Sequence, residues 1–493
     1  MPTHAIEARE GGPMSFISFQ SVFSSQYFLK TIFLPRRALA PLVLVALATG
    51  FTQARAQEAD SLQQAGTSTI GSDQAQALAG EPERFAIHGQ STYVWQRKPA
   101  FNSPYSGDNS LGAERDKSYS WTATLDLGVR LWKGAEFHFN PEVVQGVAFS
   151  GLHGLGGLTN GELAKVSGPN PTVFRARAFL RQTWGLGGGE EQVDADFNQL
   201  ATTVDKRRVV LTAGNVPVLD IFNAVEYAHD PRTQFLNWSF MTHGSFDYAA
   251  DARGYNWGIA LEYIYDDWAV RIGRFLQPVE SNGLPLDTRF LQHYGDQVEL
   301  EKGYRLFGQA GKARLLLWRN KAKMGNFRDA IAFGNANGST PDVGDVRREH
   351  AKVGIGLSFE QKLGQDLGLF ARADWSDDKT ETYAFTEVGR SVSFGGILSG
   401  HRWGRPQDGL GVGVAVNMLG SAHRDYLAAG GLGAFLGDGA LNYGRERILE
   451  VFYSFQPVKH LWISPDFQYI QNPGYNRDRG PAKFYGMRFH TEF

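Results

Sequence analysis

Phe484-Tyr485-Gly486-Met487-Arg488-Phe489-His490-Thr491-Glu492-Phe493 closes the chain. Tyr485, Met487, Phe489, Thr491 and Phe493 share one face of a strand with a side-chain period of two, and Gly486, Arg488, His490 and Glu492 share the other. An apolar face that ends on an aromatic residue, backed by a polar face, suits a strand with lipid on one side and water on the other. Soluble sandwiches also contain amphipathic strands, so the reading turns on whether the pattern repeats.

It repeats along most of the chain. Trp121, Ala123, Leu125, Leu127, Val129 and Leu131 alternate with Thr122, Thr124, Asp126, Gly128 and Arg130. Val353, Ile355, Leu357 and Phe359 alternate with Lys352, Gly354, Ser358 and Glu360. Phe174, Ala176, Ala178, Leu180 and Trp184 read as the apolar face opposite Arg175, Arg177, Arg181 and Thr183. About 16 such segments follow Arg84, an even number, as single-chain barrels require. The expected fold is all-β: a transmembrane antiparallel β-barrel of about 16 strands with an inward-folded constriction loop. Closing the sheet removes its unpaired edges, and at this strand number the interior is wide enough to hold water. Short links are expected at Lys133, Asp266 and Gly303, with long connections at 98–116, 147–171, 217–253, 319–349 and 420–445. Short helices are expected near Val218–Asn223 and Ser421–Ala429, and the run Gly187-Gly188-Gly189 reads as a turn.

The amino-terminal region reads as export machinery. Arg36 and Arg37 precede the apolar run Ala38 to Phe51, too short to span a bilayer as a helix, and Ala54-Arg55-Ala56 has the small-x-small pattern of a cleavage site. Residues 1–56 are therefore expected to be a signal peptide, with Met14 an alternative start, residues 57–83 a polar periplasmic linker, and residues 84–493 the barrel. No later segment is a long apolar run of the kind a membrane helix needs.

Composition excludes several classes. Cysteine is absent, which removes disulfide scaffolds and thiolate metal sites. The 49 Lys and Arg nearly balance the 51 Asp and Glu, so no basic footprint marks a nucleic-acid partner. HExxH, GxSxG, P-loop and CxxC motifs are missing, leaving hydrolase and nucleotide readings without a motif and no metal or cofactor implied.

Four segments carry a family resemblance. His88-Gly89-Gln90, Tyr227 to Arg232 with Phe235-Leu236-Asn237-Trp238, Trp403-Gly404-Arg405-Pro406, and above all Asn472-Pro473-Gly474-Tyr475-Asn476-Arg477-Asp478-Arg479-Gly480-Pro481 resemble carbohydrate-selective porins of the OprB type. The resemblance spans essentially all of residues 84–493. It implies a bacterial outer-membrane channel for passive diffusion of small sugars into the periplasm, without catalysis. It further implies contact with outer-membrane lipid and the barrel-assembly machinery, for which Phe493 would be a signal, and leaves monomer and homotrimer open. A general non-selective porin and a polysaccharide-export or structural barrel are the alternatives.

Sugar hydroxyls suit multi-donor charged partners and sugar C–H faces suit aromatic rings. On the strands, Arg130, Arg175, Arg177, Arg181 and Glu450 fall on the polar face and are expected to line the pore. The connection from Pro217 to Arg253 is too rich in apolar residues for an exposed loop, so it is expected to fold inward and bring Asp220, His229, Asp230, Arg232 and Trp238 to a constriction. The blander readings are that these arginines are solvated and ion-paired across the lumen, and that Asp230-Pro231 is a turn.

Overall fold

The computed structural model describes residues 82–385 and 387–493, so the expected signal peptide and nearly all of the expected linker lie outside the described residues. The chain begins the barrel with β1 (Phe85–Lys98), β2 (Asp116–Trp132), β3 (Ala135–Val147) and β4 (Thr172–Gly185). A separate hairpin follows, β5 (Glu190–Val193) and β6 (Thr202–Asp205). The wall continues with β7 (Arg208–Asn215), β8 (Trp257–Tyr265), β9 (Trp268–Leu276), β10 (Tyr294–Leu306), β11 (Gln309–Met324) and β12 (Arg348–Leu363). It ends with β13 (Leu367–Ser376), β14 (Arg390–Ser399), β15 (Gly409–Met418), β16 (Glu446–Val458), β17 (Leu461–Gln471) and β18 (Ala482–Glu492). Neighbours pair antiparallel, β4 pairs with β7 across the hairpin, and β18 returns to β1 to close the barrel of 16 strands.

Burial along the wall is the reverse of a soluble protein's. On β12, Val353, Ile355, Leu357 and Phe359 are 39–46% exposed while Lys352 and Glu360 are 1% and 3% exposed. An apolar outer face and a polar inner face need lipid outside and water or polar groups inside. At the short-turn end, Trp132, Trp184 and Trp268 stand exposed in the girdle position.

Three connections differ from expectation. β10 runs through Gly303 to Leu306, and the turn to β11 lies at Phe307-Gly308, both at positive φ. The alternation simply continues past Gly303, and the left-handed pair supplies the reversal. The link between β4 and β7, at the short-turn end, is long and contains the β5–β6 hairpin; Gly187, Gly188 and Gly189 do turn there, with φ of 80°, 85° and 90°. Besides the expected 3₁₀ turn at Val218–Asp220 and helix at Ser421–Ala428, a helix at Phe327–Asn337 was not anticipated. Its signals are local: Asn326 caps it by accepting from the Arg328 and Asp329 amides, and Gly338 ends it in the left-handed region.

The connection from β7 to β8 enters the barrel. Val218, Leu219, Ile221, Phe222, Trp238, Phe246 and Tyr248 pack there against the inward wall residues Phe179, Phe275, Leu316 and Trp318. Phe235 and Phe240 pack against Phe370 and Phe452. This is the dry environment that the loop's apolar residues require, and it fills much of the lumen.

Candidate functional site

A loop buried inside a barrel must find partners for its backbone groups, and the wall's charged side chains supply them. The Asn223 amide donates to Glu299 at 2.7 Å and the Glu226 amide to Glu360 at 2.7 Å. Leu236 and Asn237 donate to the two oxygens of Glu450 at 2.5 and 3.0 Å. Arg372 donates to the Ala228 and Phe240 carbonyls at 2.5 and 2.7 Å. Arg488 donates to the carbonyls of Pro231, Thr233 and Gln234 at 2.8, 3.0 and 2.5 Å. These wall charges therefore latch the loop rather than meet solute. Glu450 is 0% exposed, which corrects its expected pore-lining position, and Arg488 is likewise a latch and not channel lining.

Beside the latched loop a cavity of about 1300 Å³ remains. It is lined at the short-turn end by Pro82, Lys133 and Thr202 to Asp205 and at the long-loop end by Lys165 and Arg253. Between them, ion pairs and rings project from both the wall and the loop. Arg177 clasps Asp220 with both forks, Nε–Oδ2 at 2.6 Å and Nη2–Oδ1 at 2.9 Å. Arg232 bridges Glu162 at 3.0 Å and Glu142 at 3.1 Å. The Tyr255 hydroxyl donates to Glu142 at 2.7 Å, and the Arg177 guanidinium stands 5.7 Å from the Tyr255 ring centre. Arg253 lies 4.8 Å from the ring centre of Phe174, which is 5.5 Å from that of Tyr255. The bidentate Arg177–Asp220 pair fixes a guanidinium plane next to the Tyr255 ring.

Of the expected residues, Arg130, Arg177, Arg181, Asp220, His229, Asp230, Arg232 and Trp238 line this cavity. Arg130 is engaged by the Glu83 and Ala201 carbonyls, and Arg181 by Glu136 and the Asn198 carbonyl. The hairpin segment at the short-turn end is thereby tied into the barrel mouth. Burial, with the Arg372 charge nearby, holds His229 below the usual imidazole range and hence uncharged at neutral pH. Asp230 accepts from the Arg232 amide at 2.9 Å, so it does brace a turn while also facing the cavity. The Trp238 ring lies 4.6 Å from that of Phe385, tilted by 36°.

Arg175 is a correction. The β3–β4 register slips so that Asn140 opposes Arg177 and Pro141 opposes Arg175, leaving Ala176 as an extra residue on β4. Pro141 cannot donate to the ladder, and a bulge accommodates it. The slip turns Phe174 inward to the cavity and sends Arg175 outward, 5.0 Å from the exposed Trp257 ring.

A sequence model described as carbohydrate-selective porin, OprB family, matches residues 108–493. The chain belongs to this OprB family of carbohydrate-selective porins. The OprB fold is seen again in the high-pH structure of Pseudomonas putida OprB, with a TM-score of 0.64 at 17% identity, covering 86% of this chain and 96% of that one. The low-pH structure of the same protein gives a TM-score of 0.44 at 14% identity, covering 85% and 95%. The channel DcaP of Acinetobacter baumannii gives 0.45 at 10%, covering 84% and 98%. No curated protein sequence matches the chain.

As an OprB-family porin the chain is an outer-membrane channel, with its long loops outside the cell and its short turns in the periplasm. The stretch most specific to the OprB resemblance, Asn472 to Pro481, does not line the cavity. Arg479 donates to the Tyr105 and Leu111 carbonyls, the Gly480 amide to Asn102, Asn476 to Asp438, and the Tyr475 hydroxyl to the Glu387 carbonyl. It staples extracellular loops together. Among the cavity residues, Glu142, Glu162, Arg253 and Tyr255 escaped the sequence reading. Glu142 follows Pro141, which masks the alternation of β3, and Glu162 and Arg253 sit in irregular loops without periodicity. Tyr255 reads by alternation as part of the outward face with Trp257, but β8 begins only at Trp257 and Tyr255 turns into the cavity.

Proposed function

We propose that small uncharged sugars diffuse passively along the cavity between the latched loop and the wall of β2 to β4 and β7 to β9, with no chemical step. Arg177 and Arg232, held in place by Asp220, Glu142 and Glu162, offer donors to sugar hydroxyls, while their carboxylate partners accept from them. Tyr255 and Phe174 offer ring faces to the sugar's C–H surface. The observation that carries this reading is the pairing of Arg177 with Asp220 beside Tyr255 on one side of a cavity lined by both the wall strands and the inward loop. Nearly balanced charge along the cavity disfavours a salt-selective pore, and a cavity of about 1300 Å³ beside the latched loop disfavours a filled structural barrel. Phe493 acts as the recognition element for the barrel-assembly machinery in this reading. Single-channel recordings in planar bilayers test it: millimolar neutral sugars interrupt the salt current with resolvable dwell times. A current unaffected by every mono-, di- and trisaccharide in the panel contradicts the proposal.

A further inference from the structure

The outer surface carries cations that the transport path does not use. On the outward face of β1, the run from Phe85 to Trp95 covers about 33 Å of strand, or about 25 Å along the membrane normal, the height of the apolar band in such barrels. Arg97 comes next, at the extracellular edge of that band. In the β1–β2 register it stands directly opposite Lys117, and in the β1–β18 register directly opposite Tyr485. Lys483 lies two residues farther along the same face of β18. All three cations are exposed, and among the described residues none of them forms an ion pair. The Arg97 guanidinium is 5.3 Å from the Tyr485 ring centre. Farther along the rim Arg447 donates to Gln471 at 3.3 Å, and the charged groups bearing on it are the cations Arg445 and Arg477.

Like charges directly opposite on adjacent strands destabilise a sheet, and among the described residues no carboxylate pairs with Arg97 or Lys117. A counter-charge is available outside the wall, at the level where lipid headgroups begin. We propose that Arg97, Lys117 and Lys483 bind the phosphate groups of a phosphorylated glycolipid in the outer leaflet, with Tyr485 holding the Arg97 fork in place. A phosphate monoester carries a charge of about −1.5 to −2 and three strong acceptor oxygens, which suits three cations on neighbouring positions of adjacent strands. Continuity with the lipid-facing wall favours this occupant over an acidic face of a second copy of the chain.

The test uses the purified full porin in detergent and reads its thermal midpoint with added bisphosphorylated lipid A, with the same lipid after removal of its phosphates, and with inorganic phosphate. The bisphosphorylated lipid raises the wild-type midpoint by a few degrees, and the other two additions do not. Arg97→Gln/Lys117→Gln/Lys483→Gln abolishes the rise, while Arg97→Lys retains part of it. An equal rise in the triple variant, an equal rise with dephosphorylated lipid, or a rise with inorganic phosphate alone overturns the proposal. So does a triple variant whose oligomeric state changes while its lipid response stays intact, which assigns the patch to a second copy. The variant leaves the lumen untouched, so its ion conductance reports folding. Should it not fold, the wild-type comparison of lipid with and without phosphate decides.

Discussion

Arg175 and Arg177 are neighbours on one strand and face opposite sides of the wall. A strict period of two puts both in the pore, and the extra residue Ala176 opposite Asn140-Pro141 separates them. The signal was present in Pro141, but a proline in a strand announces a bulge without saying on which strand the extra residue falls. The pair provides its own control. Replacing Arg177 by alanine removes a charged donor worth about 1.5–3 kcal/mol, so sugar affinity measured by current block falls roughly tenfold or more. Arg175→Ala leaves the block unchanged, because that side chain faces away from the solute; equal effects of the two substitutions would count against the assignment.

The strands were legible because half-buried strands must alternate, and tertiary packing does not disturb a pattern imposed by lipid. What the alternation cannot reveal is which polar wall residues are spent on a loop. Glu450 and Arg488 look like lining by period and serve as latches, since their partners are backbone groups that carry no sequence signal. Barrel closure has a clearer signature. Gly89 and Phe493 exchange backbone hydrogen bonds of 3.0 and 2.9 Å, and a Cβ on Gly89 would lie 2.3 Å from the Phe493 ring. The terminal ring covers the glycine of the His88-Gly89-Gln90 triplet. Gly89→Ala and Phe493→Ala each lower stability by about 1 kcal/mol, and the double variant loses little more than the worse single one, because both break one cross-strand contact. Additive losses in heat-denaturation midpoints would exclude that contact. The extracellular loops contain a second readable device. Burial alone lowers the His423 pKa, but the charges of Asp378, 3.1 Å away, and Glu387, 3.5 Å away, prevail and raise it to about 9. A raised folded pKa contributes stability that is fully present below the unfolded value of about 6.5 and is lost as pH rises through about 9. Thermal midpoints are therefore expected to fall between pH 7 and pH 10, and less steeply in His423→Gln; parallel slopes would refute the contribution.

Across residues 82–493 the barrel is an inverted protein with a second core inside it. Its outer face is apolar toward lipid, its wall is polar toward the lumen, and the segment from Val216 to Asn256 brings an apolar core into that lumen against Phe179, Phe275, Leu316 and Trp318. The inward loop was legible from its excess of apolar residues, but the cavity's partners were not: Pro141 hides Glu142 on β3, and Glu162, Arg253 and Tyr255 are loop residues that meet through the fold and not through spacing. Replacing Leu219 to Arg253 by a short turn exposes the wall latches to water and leaves a wider pore, so single-channel conductance rises and sugar block disappears. An unchanged conductance would mean that the loop does not set the width. The most direct measurement is liposome swelling with the purified wild-type porin in isotonic monosaccharides, disaccharides, trisaccharides, amino acids and salts. A sugar passage predicts faster swelling in small sugars than in amino acids or salts of similar size, with rates that fall as the saccharide lengthens; equal rates for all small solutes, or no swelling in any sugar, would contradict it.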